Sequence, residues 1–161
     1  MTIGIQAFHT AIALLKEEGV TPLVAFPAEQ SDIKLLEQRL GVPVPKSYAE
    51  MLRTYGVLMV MGQTVFGIGR AGVDTEGGSG VLFQTRYLRE RNLIPRSMIR
   101  IMSAGYGPNI CLDTSETGSD GEAPVYLVPA DGDMEGAELL APSFGEFLLN
   151  EAKAYRENPE I

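Results

Sequence analysis

Few side chains in this 161-residue sequence have types and spacings that suit catalysis. His9 is the single histidine and falls on an amphipathic helical pattern, where a packed or half-exposed ring is more common than a general base. Cys111 is the single cysteine, and its apolar strand pattern predicts a buried thiol rather than a nucleophile. One His and one Cys do not supply the roughly four N or S ligands of a zinc site. The sequence therefore predicts no metal centre, no cofactor and no intrachain disulfide.

Three short motifs resemble functional loops without completing them. The glycines of 67–72 match a dinucleotide fingerprint, but a loop with two acids follows where a phosphate-binding helix should begin. Residues 77–81 fail the nucleophile-elbow pattern at its last glycine. The segment from Asp131 to Gly136 begins like a calcium loop, yet Pro142 stands where the bidentate glutamate is required. We interpret 131–136 as a flexible acidic hairpin.

Charged side chains are distributed unevenly along the chain. Residues 1–100 hold 11 basic and 9 acidic side chains, whereas residues 101–161 hold 2 basic and 12 acidic ones. No Lys or Arg occurs between Arg100 and Lys153. A coherent negative field of this kind attracts basic partners and speeds their association, although loop acids also serve solubility alone. The candidate partner-binding residues are Asp113, Glu116, Asp120, Glu122, Asp131, Asp133, Glu135 and Glu138.

The basic side chains form one cluster of their own. It comprises Arg86, Arg89, Arg91, Arg96 and Arg100, interrupted by Glu90. Arg86 and Glu90 are four residues apart, which allows an ion pair on a helix. We interpret this cluster as a solvated helix face; a ligand site and a second contact face are the alternatives.

Composition excludes several classes of protein. The net charge is −8 and the hydrophobic fraction is 45%, as expected for a folded domain rather than a disordered tail. A net anion is a poor binder of nucleic acid backbone or of an anionic membrane surface. The N-terminus lacks the basic start of a secretory signal, and the longest aliphatic run is far too short to cross a bilayer. We expect a single cytoplasmic domain over residues 1–161.

The predicted elements are helices, then strands, then a final helix. Apolar residues at helical spacing predict helices over 5–18, from Ser31 to Leu40, from Pro45 to Tyr55 and over 81–91. Short runs predict strands at 57–61, 64–68, 99–102, 110–112 and 124–128. Ser143 and Glu146 form a capping box that begins the last helix. This order indicates an α+β fold whose twisted, antiparallel-rich sheet has helices packed mainly on one face.

An ordered series of residues runs through about 32–149 of the chain: Ile33, Leu36-Glu37, Leu40-Gly41, Pro45, Tyr48, Leu52, Gly56, Phe66-Gly67, Leu93-Ile94-Pro95, Ile99, Gly105, Gly107, Cys111-Leu112-Asp113, Pro124-Val125-Tyr126, Ser143-Phe144 and Phe147-Leu148. This series resembles the SUKH superfamily, which joins bacterial toxin-immunity proteins to a fungal regulator of cell-wall synthesis. Residues 1–30 lie outside this pattern.

The resemblance implies a binding module rather than an enzyme. It implies an immunity-type protein that neutralises a cognate toxin, commonly a nuclease with a basic surface, by direct binding. Loops 113–122 and 131–138 are the expected contact face. A regulatory interaction module resembling the fungal branch is the alternative, and a hydrolase that uses paired carboxylates is a third hypothesis.

Overall fold

Five α-helices and six β-strands form the described part of the chain, in an order close to the predicted one. The computed structural model describes residues 1–23 and 26–159. The elements are α1 (Ile3–Glu17), α2 (Gln30–Leu40), α3 (Lys46–Tyr55), β1 (Leu58–Val60), β2 (Gln63–Val65), α4 (Val81–Glu90), β3 (Met98–Ser103), β4 (Asn109–Asp113), β5 (Val125–Val128), β6 (Glu138–Ala141) and α5 (Phe144–Glu157).

Within residues 1–23 and 26–159, each named strand pairs only with strands next to it along the chain, and each of these pairings is antiparallel. The main sheet has the order β3-β4-β5-β6, and β1 pairs with β2 in a separate hairpin. Positive φ angles at Met61 (55°) and Gly62 (69°) suit the two-residue turn of that hairpin. These helices and antiparallel sheets confirm the predicted α+β class.

Buried side chains cover both faces of the main sheet, with a large core on one face and a smaller core on the other. Successive residues of a strand point to opposite faces, so Ile110 and Leu112 join the large core while Cys111 joins a smaller one. The large core also takes side chains from all five helices, and the small core adds Leu88 at the end of α4 and Ile94 beyond it. Strand β4 is therefore buried along its whole length.

The N-terminal helix lies in the large core, directly against α5. The Phe8 and Phe144 rings have centroids 6.2 Å apart, and Tyr48 meets Phe144 edge-on at 5.5 Å. The helix backbones approach so closely that a Cβ on Gly145 would lie 1.7 Å from the Gly4 carbonyl oxygen. Helix α1, to which the sequence analysis assigned no role, therefore contributes buried side chains to the large core.

Three sequence predictions need correction. Helix α2 starts one residue before the expected cap Ser31, and the Glu29 amide donates to the Asp32 carboxylate at 3.0 Å. Strand β2 ends at Val65, and the Phe66 amide instead donates to the carbonyl of Ile101 in β3. Strand β6 was not predicted, because its sequence Glu-Leu-Leu-Ala lacks the β-branched and aromatic residues that mark strands.

None of the helices in the described part of the chain has both the length and the apolar character needed to cross a membrane.

Candidate functional site

A shallow acidic groove of about 280 Å³ lies where the β4–β5 connection, β6 and the start of α5 meet. Its apolar side is formed by Pro124, which directly precedes β5, by Tyr126 of β5 and by Leu139 of β6. Leu139 is 59% exposed and lies opposite Tyr126 in the pairing of β5 with β6. We call this surface the acidic groove; its carboxylates belong to Glu116, Asp120, Glu122 and Glu146.

Two exposed acids of the groove are held in place by hydrogen bonds. The Tyr126 hydroxyl donates to Glu116 Oε2 at 2.9 Å, and the Glu122 amide donates to Asp120 Oδ1 at 3.0 Å. The Glu116 carboxylate raises the pKa of the Tyr126 hydroxyl above its ordinary value, since it stabilises the protonated form. The groove therefore presents ordered negative charge beside exposed apolar surface.

Glu122 corrects the expectation that every acid of 113–122 faces a partner. This residue is 4% exposed, and its carboxylate accepts hydrogen bonds from the Ser47 amide, the Ser47 hydroxyl and the Thr2 hydroxyl. Ser47 Oγ in turn accepts from the Gly145 amide at 3.0 Å. The carboxylate thereby joins the N-terminal ends of α1, α3 and α5, and its role is structural.

Asp113 is also turned inward, at 9% exposure. Its Oδ1 accepts from the Ser115 amide at 3.0 Å and from the Ser115 hydroxyl at 2.6 Å. These bonds cap the short 3-10 turn Thr114–Glu116. Asp113 thus shapes the connection that carries Glu116 but offers a partner little surface.

The other predicted acids lie in and beyond the β5–β6 connection, and all four are exposed. Asp131 Oδ1 accepts from the Asp133 amide, and Asp133 Oδ1 accepts from the Glu135 amide. Consecutive side-chain caps of this kind order the segment, which ends in the 3-10 turn Met134–Gly136. Glu138 is the first residue of β6 rather than part of the loop.

The two acidic loops lie on either side of strand β5. One precedes β5 and the other follows it, so they lie at opposite ends of a strand about 10 Å long. The fold also brings a base beside the first loop, since the Lys46 side chain lies against Gly121 and its amide donates to the Gly121 carbonyl. Sequence reasoning missed Lys46, Tyr126, Leu139 and Glu146 as neighbours of the site, because their proximity depends on the tertiary fold.

The remaining sequence candidates occupy unremarkable positions. His9 Nε2 lies 2.7 Å from Glu50 Oε2 on the surface. The glycines of 67–72 lead into a loop, and α4 begins only at Val81. Arg86 and Glu90 form no ion pair within 4.0 Å. Within 1–23 and 26–159, no group of three or more His, Cys, Asp or Glu side chains is placed to hold a metal ion.

Cys111 gives a first prediction. The residue is fully buried, and burial raises the pKa of its thiol to about 12. Because only the thiolate reacts, we expect iodoacetamide to label the native protein at pH 8 far more slowly than the protein in 8 M urea, where a free cysteine has a pKa of about 8.5. Mass spectrometry of both samples provides the measurement. Native labelling as fast as in urea would contradict the buried position.

Comparison with family models decides the family. Residues 27–150 match the model of the SMI1 / KNR4 family (SUKH-1), which covers more than three quarters of the chain. This chain belongs to the SMI1/KNR4 family. Comparison with curated proteins gave no match. As a SUKH-1 domain, the chain carries its acidic groove and both acidic loops inside the matched segment, whereas helix α1 lies outside it.

Proposed function

We propose that this SUKH-1 protein is a cytoplasmic, non-catalytic binding protein of the toxin-immunity type, which neutralises a cognate toxin with a basic surface. The observation that carries the proposal is the acidic groove, in which fixed carboxylates border half-buried Tyr126 and exposed Leu139. Protein interfaces combine apolar contact with complementary charge, and the groove offers both. A nuclease is a suitable partner class, since a cleft that handles polyanions is basic.

The hydrogen bonds of the groove favour binding over hydrolysis. Glu122 accepts from three different donor groups, and Glu116 and Asp120 each accept from a neighbour. Carboxylates used in this way serve as fixed charges, whereas a hydrolase needs a carboxylate pair free to exchange protons with substrate and water. A regulatory interaction module is the second candidate, and the same groove would then receive a host protein.

Growth rescue tests the proposal directly. Co-expression of the chain with the toxin domain encoded beside it should restore growth, and the purified pair should form a stable complex. Absence of a toxin-like neighbour, or of rescue, would contradict the immunity role and leave the regulatory candidate.

Charge-neutralising variants test the groove as the contact surface. Glu116→Gln combined with Asp120→Asn keeps both hydrogen-bond acceptors but removes two charges. We expect association with the toxin domain to slow about three- to tenfold at low ionic strength, and the difference to shrink as salt is added.

A second variant tests the β5–β6 connection. Replacing Asp131 and Asp133 with Asn and Glu135 with Gln should also slow association and flatten its salt dependence.

The matched control is Glu76→Gln combined with Glu157→Gln, which removes two exposed charges outside the groove and both loops. Stopped-flow association rates across a salt series provide the measurement. Equal slowing in the control and in the groove variant would show that only net charge matters, which is the solubility interpretation.

A further inference from the structure

A second charged cavity is lined mainly by basic side chains, in contrast to the acidic groove. It has a volume of about 310 Å³ and is lined by Arg39, Arg86, Arg89, Arg96 and Glu90. Helix α4 supplies Arg86 and Arg89 at a three-residue spacing, which places them on one face, and Arg39 comes from the last turn of α2. We call this cavity the arginine pocket.

Among the described residues, three of the four arginines of this pocket lack a carboxylate partner, in a chain that has 21 acids and 13 bases. Arg39 is paired with Asp74 at 3.0 Å. Among the residues that the structure describes, no carboxylate oxygen lies within 4.0 Å of the guanidinium groups of Arg86, Arg89 or Arg96. Glu90 also lines the pocket but lies beyond ion-pair distance of these three cations, whose mutual repulsion a bound anion would offset.

Arg89 is fixed in this position by the fold. Its Nη1 donates to the carbonyl of Leu40 at 2.7 Å and its Nη2 to the carbonyl of Met98 at 3.1 Å. Burial lowers the pKa of Arg89 below its ordinary value, and the charges of Arg96 and Arg86 lower it further. The pocket thus has one rigid arginine at its base and two exposed ones, Arg86 and Arg96, at its rim.

A larger cavity of about 640 Å³ adjoins the arginine pocket and shares Arg86 and Glu90 with it. Phe83 and Tyr87 line this neighbour, and Arg91 lies 3.6 Å over the Tyr87 ring. Arginine forks match the oxygen geometry of phosphate, and aromatic rings beside them suit a planar group. A solvated helix face does not account for arginines converging from α2, from α4 and from the segment after α4.

We propose that the arginine pocket is a binding site for a phosphorylated small molecule, whose phosphate oxygens contact Arg86, Arg89 and Arg96. The site is independent of the acidic groove and of the toxin-binding proposal. Phosphate is favoured over a carboxylate because several forked donors converge on one volume, which suits an anion with three or more oxygens.

Titration of the full chain with pyrophosphate at low ionic strength tests the proposal. We expect saturable one-to-one binding in calorimetry, with a Kd of about 1 mM or below, that weakens as salt is added. Arg86→Gln combined with Arg96→Gln should weaken binding at least about tenfold, and Arg86→Lys should weaken it less. Neither the Arg86 nor the Arg96 side chain makes a hydrogen bond among the described residues, so thermal unfolding should show both variants folded.

The matched control is Arg53→Gln combined with Arg156→Gln, which removes two arginines that pair elsewhere with Glu50, Glu17 and Glu18. It should bind pyrophosphate like the unmodified chain. Titration with ADP distinguishes the sources of phosphate. If ADP binds more tightly than pyrophosphate and Tyr87→Ala abolishes this gain, the ligand is a nucleotide. If ADP and pyrophosphate bind equally, the pocket recognises a phosphate group alone. No saturable binding, equal loss in the control, or binding of a glutamate-rich peptide without binding of pyrophosphate would overturn the proposal.

Discussion

Replacing Glu122 with alanine is expected to lower the free energy of unfolding by about 3–5 kcal/mol, a large part of the stability of a domain of this size. The substitution removes the acceptor of the buried Ser47 amide and Ser47 hydroxyl, and of the half-buried Thr2 hydroxyl. Each buried donor without a partner costs about 1–3 kcal/mol. Urea denaturation followed by circular dichroism provides the measurement.

Two further variants make this prediction specific. Glu122→Gln keeps one acceptor oxygen and the side-chain volume, so it should cost less than alanine but still more than 1 kcal/mol, since hydrogen bonds to a charged acceptor are worth about 1.5–3 kcal/mol. Glu138→Ala removes an exposed acid and should change stability by no more than about 0.5 kcal/mol. Similar midpoints for Glu122→Ala and Glu138→Ala would refute the structural role of Glu122.

Gly145→Ala is the second substitution with a large expected effect. In an isolated helix alanine is favoured over glycine by about 1 kcal/mol, so helix propensity alone predicts stabilisation. Here the new Cβ would lie 1.7 Å from the Gly4 carbonyl oxygen and 3.0 Å from the Phe8 amide nitrogen, so α1 must move away from α5. We expect a net loss of about 3 kcal/mol or more, opposite in sign to the propensity effect.

Gly69→Ala is the control for this substitution. Its added Cβ would meet only a Val57 methyl group at 4.0 Å, and its backbone is not left-handed. We expect a change within about 1 kcal/mol. Thermal unfolding of the two variants should therefore separate them clearly. Equal melting temperatures would contradict the close approach of the two helices.

Local sequence signals predicted the elements whose ends are chemically marked. The glycine after α2 adopts φ 74° as a left-handed cap, and the Glu146 amide donates to the Ser143 hydroxyl at the start of α5. Such signals act within one turn of chain, which is why they can be recognised without a tertiary structure. Strand β6 carries no signal of this kind and forms because β5 offers a free edge.

Sequence reasoning predicted the position of the acidic loops but not the surroundings of each acidic side chain. The charge pattern located the two acidic loops, but an acid that faces solvent and an acid that faces three donors are identical in sequence. Glu122 became structural because Thr2 and Ser47, 120 and 75 residues away, converge on it. The arginine pocket forms because the end of α2 lies beside α4. Residue spacing along the sequence does not predict this contact.

The Glu122 carboxylate also joins helix α1 to the segment that matches the family. Family similarity starts at residue 27, yet Thr2 supplies one donor to Glu122, and Phe8 packs on Phe144. We therefore expect the unit that folds cooperatively to exceed the homology unit by the whole first helix. A fragment cut at the family boundary would expose the apolar face of α5 to water and would lose the hydrogen-bond donor from Thr2.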